Sequence, residues 1–421
     1  MDRQRTGIEP DRSGTGPRKS EVRAKARAQS AAEFIPYSRQ EISEEDIVAV
    51  TDLLRSEFLT QGPTGPAFEA AFATRHAVRH AIGVANATAA LHIGCLALGV
   101  GPGSRVWTSP NSFVSSANCA LFCGASVDFV DIDPVTRNMS LEALSAKLET
   151  ADRNGTLPDV VIPVDFAGLP CDLAEMRGLA DRYGFAILED ASHATGASYR
   201  GAPTGSAFAD ATVFSFHAVK IVTTGEGGMI VTQDDGLAER LRLLRSHGVT
   251  RDETAMQRAP SPENGLGGWY YEMLELGWNY RLTDMQSALG ITQLARMDGW
   301  RARREALADR YDRLLADASF KLPSRTADRA SAWHLYAIEL TDEARADRAE
   351  VFAGMREAGI GVNVHYIPIH TQPFYARRGF RREDFPNAVA YYERAISIPL
   401  FPALTDHQQD RVVRTLIELA S

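Results

Sequence analysis

Short apolar segments alternate with helix-like segments over about two hundred residues of this chain, and this alternation restricts the fold more than any other feature. The apolar segments lack a strict polar alternation, which is typical of strands buried on both faces of a sheet. The helical segments supply the crossover connections that parallel strands require. The predicted strands are AIGVAN, RVWTSP, SVDFVDID, DVVIPVDF, FAILED, ATVFSF and GGMIVTQ. The sequence therefore predicts an α/β fold with a mainly parallel, helix-covered sheet.

Two structural lobes are expected from the length and from a change of pattern near residue 283. A chain of 421 residues exceeds the roughly 250 to 300 residues at which single cores stop growing. From residue 283 a long predicted helix is followed by a mixed region with a strand-like HLYAIEL and a helical tail. We expect residues 33–282 to form a large domain that begins with a helix capped by Ser43 and Asp46. Residues 283–421 are expected to form a smaller C-terminal α+β domain.

The first 32 residues differ in composition from the rest of the chain. They contain eight Lys or Arg and four acidic residues, with scattered Gly, Pro and Ser and few large apolar side chains. We expect residues 1–32 to be a disordered extension. Over the whole chain the net charge is −9 and 44% of the residues are apolar, which is ordinary for a globular protein and argues against nucleic acid as a partner.

Neither a membrane span nor a disulfide scaffold is indicated. No segment has the roughly 20 apolar residues of a span, and the N-terminus lacks an apolar signal core, so we expect no membrane partner and a cytoplasmic location. The four cysteines, Cys95, Cys119, Cys123 and Cys171, are few for this length and mostly lie in apolar runs. We expect buried free thiols. Because no second Cys or His pair accompanies Cys119 and Cys123, no metal site is predicted.

Polar residues follow the ends of several predicted strands. Thr88 follows AIGVAN, Asp190 ends FAILED, Ser215 lies in ATVFSF, and Lys220 comes five residues later in a segment rich in Gly and Thr. His193 stands three residues after Asp190. Ligands of open parallel sheets bind beyond the carboxyl ends of the strands, so one pocket is expected to gather these side chains.

Each of these residues has a functional and a structural interpretation. Thr88 begins a helix, where free N–H groups favour a phosphate, but it can also simply cap the helix. Asp190 ends an apolar strand and needs a cationic or hydrogen-bonded partner, which is either a ligand or a structural ion pair. His193 is equally ambiguous. Lys220 is either a desolvated nucleophile or, as for most lysines, a solvated surface residue.

The segments that carry these residues resemble one known family. EDASHATGASYRGAPTGS and ATVFSFHAVKIVTTGEGGMIVTQD are similar to motifs of the DegT/DnrJ/StrS family of sugar aminotransferases, which use pyridoxal 5′-phosphate (PLP). Further similarity lies in SPNSFVSSANCALFCGASVDFVDID, GWNYRLTDMQSALGITQL and GVNVHYIPIHTQPFY, and it covers nearly everything from Tyr37 onward. The resemblance implies the aspartate-aminotransferase-like fold type I, with a large PLP-binding domain and a homodimer that shares its active sites.

The resemblance also implies roles around the cofactor ring. Lys220 would be the catalytic residue, because it would hold PLP as a Schiff base and later move a proton between substrate and cofactor carbons. Asp190 would pair with the ring nitrogen and keep the ring an electron sink. His193 would lie near the phenolic oxygen. Phe113, in the aromatic position of SPNSFVSS, is expected against the ring face, with packing in the core as the alternative.

A phosphate site is implied in the same way. Ala87, Thr88 and Ser215 would hold the phosphate. Ala87 stands where many relatives have Gly, and alanine still permits close approach of the backbone. Asn279 in GWNYR resembles the residue that reaches the neighbouring subunit's phosphate, with a turn-forming Asn as the alternative.

The substrate is indicated by a narrower similarity. FHAVKIVTTGEGG, RSHGV and VHYIPIH most resemble transaminases that act at C4 of UDP-linked 4-keto-6-deoxy-HexNAc sugars, as in pseudaminic acid biosynthesis, with L-glutamate as amino donor. His365, Tyr366 and His370 are expected sugar or nucleotide contacts, or else packing residues. Asp165 stands where many relatives have His and is expected near the pocket rim, where it would bear on substrate binding.

Two other functions remain open. The chain could aminate another keto sugar, such as a TDP-linked deoxysugar, or a keto-cyclitol in antibiotic assembly. It could also be a regulatory member without activity that binds the cofactor or a nucleotide sugar. The presence of Lys220, Asp190 and Ser215 argues against this last function. Lys220 also argues against dehydration, because dehydrating members carry His at that position.

Overall fold

The fold is taken from a computed structural model that describes residues 34–258, 261 and 265–421. The predicted extension, residues 1–32, lies outside these residues. The elements up to residue 190 are α1 (Glu44–Leu54), α2 (Thr64–His76), β1 (His80–Val84), α3 (Ala87–Ala97), β2 (Arg105–Thr108), α4 (Ser115–Phe122), β3 (Ser126–Phe129), α5 (Leu141–Asn154), β4 (Val160–Ile162), α6 (Leu173–Tyr183) and β5 (Ala186–Asp190).

The second half of the chain adds shorter strands and one long helix. Its elements are β6 (Ser198–Tyr199), β7 (Ala202–Pro203), β8 (Ala211–Ser215), β9 (Gly228–Thr232), α7 (Asp235–Arg245), β10 (Val249–Thr250), β11 (Glu272–Met273), α8 (Asp284–Leu314), β12 (Phe320–Lys321), β13 (Arg329–Ala330), β14 (Tyr336–Leu340), α9 (Arg348–Glu357), α10 (Pro373–Ala376), α11 (Pro386–Arg394), β15 (Ala395–Ile398) and α12 (Asp406–Ala420). Every strand named from the sequence is present, each shortened by its turn residues.

A seven-stranded sheet organises the larger part of the molecule. Its strand order is β1-β9-β8-β5-β4-β2-β3. The pairs from β8 to β3 are parallel, and only β9 runs against the others, since it is antiparallel to both β1 and β8. The predicted α/β class with a mainly parallel, mixed sheet is therefore confirmed.

Helices cover both faces of this sheet. On one face α3, α4 and α7 pack against the strands through a cluster that includes Leu91, Cys119 and Leu241. On the other face α5 and α6 cover one half of the sheet. The remaining half is covered by α2 and the start of α8, which meet the strands through Phe72 and Leu294. Buried strands between two helical layers explain why the apolar segments show no polar alternation.

A smaller antiparallel sheet follows α8. Its strand order is β12-β14-β15, and α9 and α12 pack on it. Helix α8 has 31 residues and contributes to both cores, with Leu294 in the core of the large sheet and Leu307 in that of the small one. One rigid element thus joins the two sheets.

Two local predictions from the sequence are confirmed. Asp46 N–H donates to the Ser43 hydroxyl and Ser43 N–H donates to the Asp46 carboxylate, which is the predicted cap of α1. All four cysteines are buried and free. Among the residues that the structure describes, none of the helices combines the length and the apolar composition that a membrane crossing requires.

Asp46 also joins α1 to α8, and its removal tests this junction. Its buried carboxylate accepts hydrogen bonds from Thr292 Oγ1 at 2.5 Å and Gln293 Nε2 at 2.8 Å, and it pairs with Arg296. We expect Asp46→Ala to lower the free energy of unfolding by about 2 to 4 kcal/mol, because the buried Gln293 and the half-buried Thr292 and Arg296 lose their common acceptor. Urea denaturation measures the change.

The control for this variant is Glu45→Ala. Glu45 is exposed on the same helical turn, so we expect a change below about 0.5 kcal/mol.

The contribution of Asp46 should also depend on pH. Burial alone would raise the pKa of Asp46, but the hydrogen bonds from Thr292 and the Ser43 N–H outweigh it and hold the pKa below its ordinary value. The Asp46 contribution is therefore present at neutral pH and is lost as the pH falls below about 4. Equal free energies of unfolding for Asp46→Ala and Glu45→Ala would contradict the role of Asp46 in joining α1 to α8.

Candidate functional site

The carboxyl ends of the parallel strands open into a cavity of about 860 Å³. Nine of the residues selected from the sequence line it: Ala87, Thr88, Phe113, Asp190, His193, Ser215, Lys220, His365 and Tyr366. They come from the ends of β1, β5 and β8, from the loop after β2, and from the segment before α10. Side chains distant in the sequence therefore meet because parallel strands end at one edge of the sheet.

The N-terminus of α3 forms one wall of the cavity. Asn86 caps the helix, since its side chain accepts a hydrogen bond from Ala89 N–H at 2.8 Å. The N–H groups of Ala87 and Thr88 have no acceptor among the described residues. A Cβ on Gly228 would lie 2.8 Å from Ala87 N, so only glycine lets β9 approach the helix end. Because Gly228 pairs with Ser215, this close approach also places Ser215 beside the free N–H groups.

Asp190 is held by hydroxyl groups and lacks a basic partner among the residues described. Its Oδ2 accepts a hydrogen bond from Ser116 Oγ at 2.7 Å, and its Oδ1 accepts one from Ser192 Oγ at 2.5 Å. Ser116 in turn shares a hydrogen bond of 2.7 Å with Ser112. The side chain is 4% exposed and still lines the cavity. These neutral donors fix the carboxylate and leave its charge to be matched by a cationic ligand.

Lys220 lies in the turn that follows β8. Its backbone N–H donates to His217 O at 2.9 Å, and its amine makes no hydrogen bond or ion pair with any residue that the structure describes. Burial lowers the pKa of Lys220 to about 8, although the charge of Asp190 acts in the opposite direction. A considerable fraction of the amine is therefore neutral near physiological pH, and the neutral amine is the nucleophilic form.

Three histidines and one tyrosine also line the cavity. His193 Nε2 lies 3.1 Å from Tyr366 Oη, and the ring of His193 lies 4.5 Å from that of His334. His365 Nδ1 lies 2.8 Å from Ser397 Oγ. Burial first, and then the charge of Lys220, holds the pKa of all three imidazoles below the ordinary value, to about 3 for His365. The three rings are thus neutral at pH 7 and serve as hydrogen-bonding groups.

Three selected residues do not line the cavity. Asp165 is fully buried beside Asp190, and its Oδ1 accepts a hydrogen bond from Cys171 N–H at 2.9 Å. The prediction that Asp165 lies at the rim is wrong. Val164 lines the cavity, and successive side chains of an extended segment point to opposite sides, so Asp165 points away from the cavity. His370 is buried against Phe129 and Phe385. Asn279 is exposed outside the cavity of its own chain.

The cavity is also lined by residues that were not predicted from the sequence. They include Tyr37, Asn86, Ser112, Ser192, His217, Glu226, Tyr280 and His334. The spacing could have identified Ser192, which stands two residues after Asp190 and donates to it through both its backbone N–H and its hydroxyl. Nothing local pointed to Tyr37, whose ring lies 5.8 Å from that of His365, or to His334, which precedes a strand of the smaller sheet.

The site fits PLP, the cofactor implied by the resemblance. A phosphate needs free N–H groups, and α3 presents them at Ala87 and Thr88. A protonated ring nitrogen needs a carboxylate without a basic partner, and Asp190 is one. His193 Nδ1 is buried without a hydrogen bond in the described structure, and Lys220 supplies a primary amine in the same cavity. The residues present can therefore hold each polar part of that cofactor.

Most of the chain matches one known family. The profile of the DegT/DnrJ/EryC1/StrS aminotransferase family matches residues 40–417. The spore coat polysaccharide biosynthesis protein SpsC of Bacillus subtilis is 39% identical over 390 residues, which are 92% of this chain and 97% of that protein.

Solved structures with this fold are also similar in sequence. Helicobacter pylori PseC, an aminotransferase involved in the biosynthesis of pseudoaminic acid, superimposes with a TM-score of 0.84 at 29% identity over 92% of this chain and 99% of PseC. A putative sugar aminotransferase of Streptococcus pneumoniae in its PMP form gives a TM-score of 0.82 at 29% identity, covering 92% of this chain and 99% of that one.

Proposed function

The chain belongs to the DegT/DnrJ/EryC1/StrS aminotransferase family, and from this premise we propose that it transfers an amino group from L-glutamate to a nucleotide-linked keto-deoxysugar. The proposed position is C4 of a UDP-linked 4-keto-6-deoxy-HexNAc. PLP is the cofactor, as in the PLP and PMP forms of the streptococcal relative. The observation that carries the proposal is the cavity, in which Lys220, Asp190 and the free end of α3 face an imidazole and aromatic wall.

The size and lining of the cavity fit a cofactor together with a substrate rich in hydroxyl groups. Its volume of about 860 Å³ lies near the upper end of the roughly 300 to 1,000 Å³ typical of ligand sites. Beyond the cofactor groups, the wall contains Tyr37, His334, His365 and Tyr366, whose hydroxyl and imidazole groups can donate to and accept from sugar hydroxyls. Asp165 and His370 lie outside this wall, and the proposal assigns them no substrate contact.

The roles of the cofactor-side residues follow from their positions. When bound, PLP supplies an electron sink that stabilises negative charge on the substrate carbon. Lys220 acts as nucleophile and then, through Nζ, removes and returns the proton at that carbon. The Asp190 carboxylate, fixed by Ser116 and Ser192, holds a proton on the ring nitrogen. Thr88 and the N–H groups of α3 bind the phosphate, and Ser215 adds its hydroxyl.

The remaining ring contacts are proposed in the same way. Phe113 packs against the ring, and 58% of its surface is exposed for this contact. His193 Nδ1 is buried without a hydrogen bond to any described residue, while Nε2 is paired with Tyr366. Because burial keeps His193 neutral, it can donate one hydrogen bond to an anionic oxygen without adding a charge.

We further propose that the working unit is a homodimer whose subunits share their active sites. Large apolar side chains are exposed next to the cavity at Phe122 (56%), and in the neighbouring loop at Trp269 (75%) and Leu276 (69%). Exposed apolar patches of this kind mark protein interfaces. Asn279 is exposed close to this surface and would reach the phosphate of the partner.

The proposal includes a cytoplasmic location, which the four free thiols favour.

The test of the proposed function separates the amino donor from the sugar. We expect the yellow purified protein to lose its visible absorption band when L-glutamate is added, because the amino group moves to the cofactor. A panel of UDP- and TDP-linked 3-keto and 4-keto sugars is then added, and mass spectrometry identifies the product. We expect the UDP-linked 4-keto-6-deoxy-HexNAc to be aminated at least about tenfold faster than the others, a difference of about 1.4 kcal/mol in the barrier.

Other outcomes of this panel decide between the alternatives. Faster amination of a TDP-linked sugar or a keto-cyclitol would replace the proposed substrate and leave the aminotransferase mechanism in place. Persistence of the visible band with every amino donor would contradict the donor half-reaction itself.

A further inference from the structure

Two carboxyl groups lie fully buried next to Asp190, and the proposed mechanism does not use them. Asp165 and Glu189 are both 0% exposed. Glu189 precedes Asp190 in β5, and Asp165 N–H donates to Asp190 O at 3.1 Å. Val164 forms a parallel bridge with Asp190. The two carboxyl groups are therefore built into the same short piece of backbone that positions Asp190.

Each carboxyl has one satisfied oxygen and one unsatisfied oxygen. Asp165 Oδ1 accepts from Cys171 N–H at 2.9 Å, and Glu189 Oε2 accepts from Thr212 Oγ1 at 2.6 Å. Asp165 Oδ2 and Glu189 Oε1 are buried and accept no hydrogen bond from any group in the described ranges. The two side chains are within hydrogen-bonding reach of each other. Two ionised carboxylates cannot bond in this way, whereas a carboxylate and a protonated carboxyl can.

The surroundings of the pair disfavour two negative charges. In the part of the chain that the structure describes, no Lys, Arg or His side chain bonds to either carboxyl. The titratable groups that face the pair are Asp190 on β5 and the Cys171 thiol before α6. Burial, and then repulsion by Asp165, raises the pKa of Glu189, and burial raises the pKa of Asp165 to about 7. The pair therefore retains a proton at neutral pH.

We propose that Asp165 and Glu189 share a proton between Asp165 Oδ2 and Glu189 Oε1 and act together as a positioning pair for Asp190. The shared proton prevents three adjacent carboxylates from repelling one another and keeps the backbone at Asp190 in place. As the pH rises through about 7 the pair takes up one negative charge. That charge adds to the field of Asp190 and favours a positive charge on the ring nitrogen that faces it. This last step rests on the proposed function of Asp190.

Infrared difference spectroscopy on protein stripped of cofactor tests the shared proton directly. We expect the wild type at pH 8 to show the carbonyl stretch of a protonated carboxyl, referenced to the double variant D165N/E189Q. Asp165→Asn and Glu189→Gln should each lose this band, because the amide donates to the remaining carboxylate. Glu149→Gln, which changes an exposed acid on α5, should keep it. A wild type without the band, or single variants that both keep it, would overturn the proposal.

The pH profile of the holoenzyme tests the link to Asp190. We expect kcat of the wild type to rise with pH through about 7, and this inflection to disappear in Asp165→Asn with KM unchanged. If Asp165→Asn does not fold, Glu189→Gln answers the same question. An inflection kept by both variants would overturn the positioning role. If the aminotransferase proposal is wrong, the wild type and all variants will lack this activity, and the infrared result will be unaffected.

Discussion

Lys220→Ala is expected to abolish turnover and to leave a folded protein. The loss of proton transfer at Nζ alone should reduce the rate by roughly 10² to 10⁴-fold, and the loss of the nucleophile should reduce it further. The fold should remain because the amine makes no hydrogen bond or ion pair with any residue of the described structure. Steady-state turnover measures the first effect, and near-ultraviolet circular dichroism with thermal unfolding measures the second.

Lys220→Arg is the matched control for charge. Arginine keeps a cation in the cavity but does not lose its proton in proteins, so we expect it to be as inactive as alanine. In the wild type, burial lowers the pKa of Lys220 to about 8, and a neutral amine is required for attack on a carbonyl. The rate of covalent PLP capture by the apoprotein should therefore rise with pH and level off above about 8. Substantial turnover by either variant would contradict the role of Lys220.

The architecture could be predicted from the sequence because buried parallel strands leave a strong local signal. FAILED is a continuous apolar run closed by acids, and β5 ends at the predicted Asp190. The start of α1 was equally clear, because Ser43 and Asp46 satisfy each other's backbone N–H groups. Such signals depend only on neighbours in the sequence, so they can be recognised without knowledge of the tertiary structure.

The side-chain composition of the cavity was less predictable, because it depends on contacts between distant segments. His334 and Tyr37 enter the cavity from the smaller sheet and from the first described residues, and neither position shows a motif. Asp165 illustrates the opposite error. Its place after a strand suggested the pocket rim, but Val164 occupies that side and Asp165 points into the interior. The direction in which a side chain points at an irregular strand end cannot be predicted from the sequence alone.

A mixture of two inactive variants is expected to recover activity, and this tests the shared active site. Asn279→Asp places a carboxylate where the partner's phosphate is proposed to bind, so the variant should be inactive through repulsion. Lys220→Ala is inactive for a different reason. In a mixed dimer, one site combines Lys220 of the Asn279→Asp subunit with Asn279 of the Lys220→Ala subunit, and that site is intact.

The amount of recovered activity follows from the symmetry of the dimer. With random exchange, half of the dimers are mixed and one of their two sites is intact, so recovery should reach about a quarter of the wild-type activity per subunit. Asn279 is exposed and its side chain bonds to nothing in the described structure, so the substitution should not disturb the fold of its own chain. If Asn279 served only its own subunit, each mixed dimer would contain one site lacking Lys220 and another lacking Asn279. The mixture would then stay as inactive as its components, and a shared site would be ruled out.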